Sequence, residues 1–211
     1  MARANDTFVE GSDTALASHT PTGTDAGAGW SQIGGAATVL AATDLVVDDN
    51  AANGNRARMT TDLGSAQMDV QADVSSVGGS FTFPGVMGRV NSAGTERWEF
   101  TYDFSGGRWQ LADTPNTTTV TFTEAWPGGT NTMKIACRPS NQRGYVNGLE
   151  KCASTANTYA GQFGGIVPGN FNGTTRRHTI DNYVSSTWTP PILGNALDDI
   201  ERYAAIPVAY N

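Results

Sequence analysis

The chain has 211 residues, of which 25 are glycine and 9 are proline, and 16% are charged. This length is typical of one domain with a sizeable core, and the composition excludes a coiled coil and a charge-rich disordered chain. The 13 Lys and Arg against 20 Asp and Glu give a net charge of -7, which repels a phosphate backbone, so no nucleic-acid partner is expected.

No window of the sequence approaches the ~20 consecutive apolar residues of a membrane helix, so no membrane partner is expected. The first residues, MARANDTFVEG, lack the apolar stretch of a signal peptide. We therefore expect that the chain is made in the cytoplasm of the cell that produces it and is not exported.

An early segment, 48–55 (DDNAANGN), is rich in oxygen atoms that suit Ca²⁺. Counted from Asp49, an EF-type loop needs Asp or Asn two residues on, where Ala51 stands. The segment is therefore interpreted as an Asx-rich hairpin turn.

Alternation of apolar and polar residues is the main secondary-structure signal along the rest of the chain. It is clearest at 98–104 (WEFTYDF), which predicts a half-buried strand with four aromatic residues on one face and a solvated polar face opposite. The short segments between successive predicted strands leave no room for crossover helices, so an antiparallel sandwich is predicted. The further predicted strands are 68–74, 85–90, 108–111, 119–123, 133–137, 144–146 and 179–184.

Two aromatic residues stand apart from this alternation. Trp126 lies in the turn-like segment 124–129, and Phe171 lies in the similar segment 169–173. Each residue either packs under a loop or is presented to a partner, for example by stacking on a sugar ring. They are the candidate ligand-binding residues.

The two cysteines, Cys137 and Cys152, are too few for a disulfide scaffold and lack the spacing of a zinc site. Asn147-Gly148 predicts a type I′ hairpin turn between them, because both residues readily adopt positive φ. A three-stranded meander would separate the cysteines by about 9.5 Å, which exceeds the roughly 7 Å limit of a disulfide. We expect two free thiols.

The C-terminal segment, 189–211, is predicted to be a linker, a short helix and an extended arm after a β domain at 1–188. A helix of about three turns is not stable alone in water, so it must dock. Docking on a neighbouring subunit is the main prediction, and docking on its own sandwich is the alternative. The predicted assembly residues are Leu193, Leu197, Ile200, Ile206, Val208 and Tyr210.

The order of several segments resembles the laminin-G-like branch of the concanavalin A-like jelly-roll family, which occurs in bacterial and phage surface proteins. The resemblance covers roughly 6–188 and implies an all-β, antiparallel jelly-roll sandwich. The family includes lectins, glucanases, adhesion modules and virion parts, so the fold does not decide the function. The segments are Asp6-Thr7-Phe8, Trp30, Ile33, 86–90, 98–100, 107–111, 133–136, 145–148, 161–166 and 179–184.

Glucanases of this family carry two carboxylates about 5 to 5.5 Å apart in a strand motif E-x-D-x-x-E, which is absent here. Glu99 and Asp103 share a strand face at about 13 Å, and neither His19 nor His178 lies near a nucleophile motif. No enzymatic activity is expected. No cofactor is expected either, except that Asp6 and Asp181, which the resemblance places in terminal strands, are candidates for a structural Ca²⁺.

The main functional hypothesis is a non-enzymatic virion structural protein, namely a bacteriophage capsid decoration (cement) or surface display protein at the virion surface. It rests on a single jelly-roll domain, the start without a signal peptide, and the predicted helix and arm. The expected partners are further copies of the chain and capsid or other virion proteins. The alternative is a carbohydrate-binding module or adhesin, including a tail component that binds host glycans.

Overall fold

The computed structural model describes residues 3–22, 29–34, 37–40, 43, 45–48, 55–76, 83–115, 119–169 and 178–189. None of the helical structure in these ranges is long and apolar enough to cross a membrane. Apart from the 3-10 turn Leu16–Ser18, the regular elements of these ranges are strands. They are β1 (Arg3–Asp6), β2 (Thr14–Ala15), β3 (Trp30–Gly34), β4 (Ala37–Leu40), β5 (Leu45–Asp48), β6 (Asn55–Met59), β7 (Met68–Ser76), β8 (Gly85–Val90), β9 (Arg97–Asp103), β10 (Arg108–Thr114), β11 (Thr119–Thr123), β12 (Thr130–Cys137), β13 (Gln142–Val146), β14 (Leu149–Ser154), β15 (Phe163–Gly169) and β16 (His178–Thr187).

The strands form two antiparallel sheets. The nine-stranded sheet has the order β14-β13-β12-β7-β16-β5-β4-β2, with β1 also paired to β16, and the seven-stranded sheet has the order β11-β10-β9-β8-β15-β6-β3. Successive strands such as β7 and β8, or β15 and β16, lie in different sheets, so the chain crosses repeatedly between the two layers. The predicted antiparallel jelly-roll sandwich is confirmed.

The core lies between the sheets. On the seven-stranded side, Trp98 and Phe100 of β9 are fully buried, and the Phe100 ring stacks on Trp109 of β10 with centroids 5.9 Å apart. Gly144 of β13 faces the same ring, because a Cβ there would lie 2.2 Å from Phe100. The nine-stranded side contributes aliphatic and thioether side chains: Met68, Val70, Ala72, Val74, Met133 and Ile135.

The prediction that β9 is half-buried is wrong. Its second face is also covered, with Glu99 exposed by 7% and Asp103 by 2%. Alternation shows which residues share a face of a strand, but it does not show whether the polar face is open to water. The carboxylates of β9 are instead paired with arginines, Glu99 with Arg56 and Arg97, and Asp103 with Arg108.

The interpretation of 48–55 as a hairpin turn is also wrong. β5 ends at Asp48 in the nine-stranded sheet, and β6 begins at Asn55 in the seven-stranded sheet, so the segment connects the two layers. Residues 49–54 lie outside the described part of the chain.

The predictions for the β12–β14 meander are confirmed. Asn147 and Gly148 have φ of 49° and 82°, as a type I′ turn requires, and they join β13 to β14. Cys137 and Cys152 are free and buried on the strands that flank β13. Burial raises the pKa of the Cys137 thiol to about 12 and that of the Cys152 thiol to about 11.

The predicted C-terminal linker, helix and arm at 189–211 fall on residues that the structure does not describe, apart from Thr189 of the linker. The same holds for Phe171. The predicted assembly residues concerned are Leu193, Leu197, Ile200, Ile206, Val208 and Tyr210.

Candidate functional site

The N-terminal strand is held by a buried histidine between two carboxylates. The Nε2 atom of His19 lies 2.9 Å from Oδ2 of Asp6, and its Nδ1 atom lies 2.6 Å from Oε1 of Glu10. Burial alone would lower the pKa of His19, but the hydrogen bonds to both carboxylates and their charges raise it. The ring therefore links β1 to the segment that follows it, and both carboxylates favour its protonated form.

Asp6 has further partners, which bear on the predicted calcium site. Trp30 Nε1 donates to its Oδ2 at 2.7 Å, and the backbone N–H of Phe8 donates to its Oδ1 at 2.9 Å. Asp181 lies opposite Asp73 on the β7 side of β16. Within the described ranges, no group of three or more His, Cys, Asp or Glu side chains is placed to hold a metal ion. A structural Ca²⁺ at Asp6 and Asp181 therefore stays a prediction, and the described residues supply no ligand set for it.

The outer face of the seven-stranded sheet carries the buried carboxylates of β9. Arg56 and Arg97 both donate to Glu99, and Arg56 Nη2 lies 3.0 Å from Glu99 Oε2. Burial would raise the pKa of Glu99, but the two guanidinium groups hold it below its usual range. Glu99 is thus an ionised and bonded carboxylate, unlike a general acid, which needs a raised pKa.

Asp103 closes the turn after β9. Its Oδ1 accepts from the Ser105 hydroxyl at 2.7 Å and from the Gly106 backbone at 2.9 Å, and its Oδ2 accepts from Arg108 Nε at 3.0 Å. Burial would raise the pKa of Asp103, but these bonds lower it. Neither carboxylate on this face holds a proton for glycosidic bond cleavage.

The structure places Trp126 at one end of the aromatic core. Its ring centroid lies 5.3 Å from Tyr102, 5.4 Å from Phe104 and 5.4 Å from Trp109, and its side chain is half-buried. These contacts are those of the packing alternative. A ligand-binding role for Trp126 stays a prediction.

A groove lies on the nine-stranded sheet where the turn between β12 and β13 approaches the end of β16. We call it the turn groove; its volume is about 370 Å³. Met68 of β7 pairs with Cys137 on one side and with Thr187 on the other, so the residues that follow these two strands meet across β7. The side chains that line it include Arg138, Ser140, Asn141, Arg143, Tyr145 and Trp188.

Two aromatic rings of the turn groove are each paired with a cation. The guanidinium carbon of Arg138 lies 4.7 Å from the Trp188 ring centroid, and Lys134 Nζ lies 5.3 Å from that of Tyr145. Arg138 is also fixed by Asp69, whose Oδ1 accepts from its Nη2 at 2.6 Å. Both rings are half-buried, and each keeps part of its surface open to the groove.

A second cleft, of about 510 Å³, adjoins the first. We call it the loop cleft, and Pro139 lines both. Arg89 lies at its base and donates to the carbonyl of Arg138 at 2.9 Å, which ties the two clefts together. Asn157 and Tyr159 add polar and aromatic surface to its lining.

Comparison with solved structures places the architecture among known proteins. The carbohydrate-binding module CBM66 from Bacillus subtilis superimposes with a TM-score of 0.61 at 9% identity, covering 75% of this chain and 95% of its own. A β-glucanase from Bacillus licheniformis gives 0.56 at 11% identity, covering 85% and 99%. A Bacillus subtilis protein of unknown function with a galectin-like fold gives 0.57 at 10% identity, covering 75% and 89%.

The fold is a concanavalin A-like jelly roll. At these identities the likeness concerns the fold alone, and the jelly roll is shared by a binding module and by an enzyme. No protein-family model and no curated protein sequence matches the chain.

The residues of the turn groove were missed by sequence reasoning. The local sequence gives little signal: Arg138 and Arg143 lie between the predicted strands 133–137 and 144–146, and Trp188 lies four residues beyond the predicted strand 179–184. Only the jelly-roll register, which sets β12 and β16 on either side of β7, brings them together.

Proposed function

We propose that this jelly roll is a non-catalytic carbohydrate-binding module and that the turn groove is its binding surface. The observation that carries the proposal is the pair of half-buried rings, Trp188 and Tyr145, in a groove that polar side chains such as Asn141 also line. Sugar rings present apolar C–H faces that stack on aromatic rings, while their hydroxyls hydrogen-bond to groups such as Asn141 and Ser140.

The groove is preorganised for such a ligand. Arg138 has four fixed contacts: the Trp188 ring, Asp69 Oδ1 at 2.6 Å, and the carbonyls of Met68 at 3.1 Å and Cys137 at 3.0 Å. A surface that is already ordered loses little conformational entropy when it binds, which favours affinity. The backbone N–H of Trp188 is bonded to the Gln67 carbonyl at 2.9 Å, so the indole is anchored at its base.

The buried carboxylates of β9 favour binding over hydrolysis. A glycosidase needs one carboxylic acid with a raised pKa beside a second, ionised carboxylate. Arg56 and Arg97 lower the pKa of Glu99, and the pKa of Asp103 is lowered by its turn contacts and by Arg108. The likeness to a β-glucanase therefore supports the fold of this chain and not its chemistry.

A glycan array followed by calorimetry tests the proposal. The wild-type chain is expected to bind a subset of the glycans on the array. Trp188→Ala is expected to weaken this binding at least about tenfold, since aromatic anchors dominate binding energy. Phe122→Ala is the matched control, because Phe122 is a 45% exposed aromatic on β11 of the other sheet. Absence of any retained glycan, or equal binding by Trp188→Ala and wild type, would refute the proposal.

The virion structural role stays a prediction. One of its grounds, the predicted helix and arm with Leu193 to Tyr210, lies outside the described residues. A pull-down on expanded phage shells, run beside the array, separates the two functions. Particle binding without glycan binding would put the virion role first, whereas glycan binding without particle binding would put the carbohydrate-binding role first.

A further inference from the structure

The charge of the two adjoining clefts is opposite to that of the whole chain. Among the described residues, the turn groove and the loop cleft are lined by three arginines, Arg89, Arg138 and Arg143, and by no acidic side chain. The chain as a whole has 20 acidic against 13 Lys and Arg residues. A third cleft, which shares Ala160 with the loop cleft, is lined instead by Asp62 and Glu96 and so bounds the cationic surface.

Arg89 is a buried cation without an anionic partner among the described residues. It is only 3% exposed, and its bonds go to neutral oxygens. A guanidinium stays charged in proteins, and burying a charge without a counter-charge is costly, so carbonyl dipoles alone leave a positive potential in the cleft. The acceptors are the carbonyls of Ala66 at 3.0 Å, Thr158 at 3.1 Å, Tyr159 at 3.2 Å and Arg138 at 2.9 Å, and Asn157 Oδ1 at 2.7 Å.

The other two arginines have acidic partners that stand outside the groove lining. Asp69 bonds to Arg138, and Arg143 donates to Glu150 Oε2 at 2.8 Å. The pair of Arg143 and Glu150 is exposed on both sides, at 43% and 40% of the side-chain surface. An exposed ion pair of this kind contributes little stability, so the Arg143 guanidinium exchanges one carboxylate for another readily.

We infer that the ligand of this surface is an anionic glycan, whose carboxylate or sulfate groups pair with these arginines while its sugar rings lie on Trp188 and Tyr145. This inference rests on the proposed carbohydrate-binding function. A guanidinium presents two parallel N–H donors that match both carboxylate and sulfate oxygens, and these charge-assisted bonds are stronger than bonds to neutral hydroxyls. Acidic sugars therefore gain binding energy from these arginines that neutral sugars of the same backbone do not gain.

The test uses the full chain and an array that presents each glycan backbone in neutral, carboxylated and sulfated forms at physiological ionic strength. The acidic forms are expected to bind about tenfold or more tightly than their neutral counterparts. Whether carboxylated or sulfated forms bind best identifies the acidic group. Polyglutamate, which has charge but no sugar, is expected to bind weakly.

Two arginine variants locate the effect. Arg143→Gln is expected to reduce the preference for acidic glycans several-fold, with partial recovery in Arg143→Lys, which keeps the charge without the fork of donors. Arg108→Gln is the matched control, because Arg108 is also 43% exposed and paired with one carboxylate, but it lies on β10 of the other sheet. It is expected to leave the preference unchanged.

The failures are distinguishable. Equally tight binding of neutral and acidic glycans would overturn the inference of an anionic ligand and leave the proposed carbohydrate-binding function standing. Loss of binding by the same amount in Arg143→Gln and Arg108→Gln would also overturn it, since the effect would then not belong to the groove. Retention of no glycan, or binding of polyglutamate as tight as that of the best glycan, would overturn both.

Discussion

Trp98 and Glu99 are neighbours on β9 that face opposite sides of the seven-stranded sheet. The Trp98 side chain is 0% exposed between the two sheets. Trp98→Ala is expected to destabilise the domain by about 3 to 5 kcal/mol, which is a large part of typical domain stability. Denaturant midpoints measure this, with Phe122→Ala as a surface control expected to change stability by less than about 0.5 kcal/mol. A Trp98→Ala midpoint near that of wild type would contradict the face assignment.

His19 gives the domain a pH dependence whose sign follows from its raised pKa. The pKa in the unfolded chain is about 6.5, and it is higher in the folded chain because of Asp6 and Glu10. The stabilisation is therefore fully present below about pH 6.5 and is lost as the pH rises through the folded-state value.

His19→Gln tests this sign. Across the window from about pH 6.5 upward, the unfolding free energy of wild type is expected to fall more steeply than that of the variant. Denaturant midpoints at a series of pH values provide the comparison. Parallel curves for the two proteins would show that the pKa of His19 is not raised in the folded chain.

The sequence predicts the two faces of β9 correctly but not their environments. Trp98 and Phe100 alternate with Glu99 and Thr101, so the aromatic face and the core assignment follow directly. The polar face is buried because Arg56, which is distant in sequence, supplies a counter-charge to Glu99. Such a pairing depends on the tertiary fold and leaves no local signal.

The hairpin between β13 and β14 isolates the effect of backbone conformation in one element. Gly148 has φ of 82°, and no atom lies within 4 Å of the place where a Cβ would stand, so Gly148→Ala adds strain without a clash. The expected cost is about 1 to 2 kcal/mol. Gly11→Ala is the control, because its surroundings are equally open and its φ is not positive. Equal thermal midpoints for the two variants would contradict the type I′ turn.

Local signals predict some elements closely and others not at all. The strands β8 and β11 begin and end where alternation predicts, at 85–90 and 119–123. β1 is only four residues, RAND, and it is stabilised by pairing with β16 at the other end of the chain. The turn groove depends on the same kind of long-range pairing, across β7, and no pattern around Arg138 or Trp188 predicts it.

The described sandwich is complete at the end of β16, and this bears on the C-terminal segment. Truncation after Thr189 removes no described strand and keeps Trp188 in the turn groove. We expect a cooperatively folded domain with a nearly unchanged melting temperature. If 190–211 mediates assembly, sedimentation will show that self-association or particle binding is lost.

A truncated chain that fails to fold would instead make the segment a structural cap on its own sandwich. A truncated chain that folds and still assembles like the full chain would show that the segment is not needed for assembly. Circular dichroism on heating separates the first result from the second.

The pairing of β1 with β16 also determines how the domain tolerates insertion into another protein and how it responds to mechanical force. Arg3 lies opposite Ser186, so the two ends of the described sandwich are neighbours, roughly 5 Å apart between Cα atoms. A host protein could carry the whole domain as an insertion in one surface loop without stretching either end. Tension applied through those same ends would load the hydrogen bonds of β1 one at a time rather than together, so β1 would peel away first and at low force.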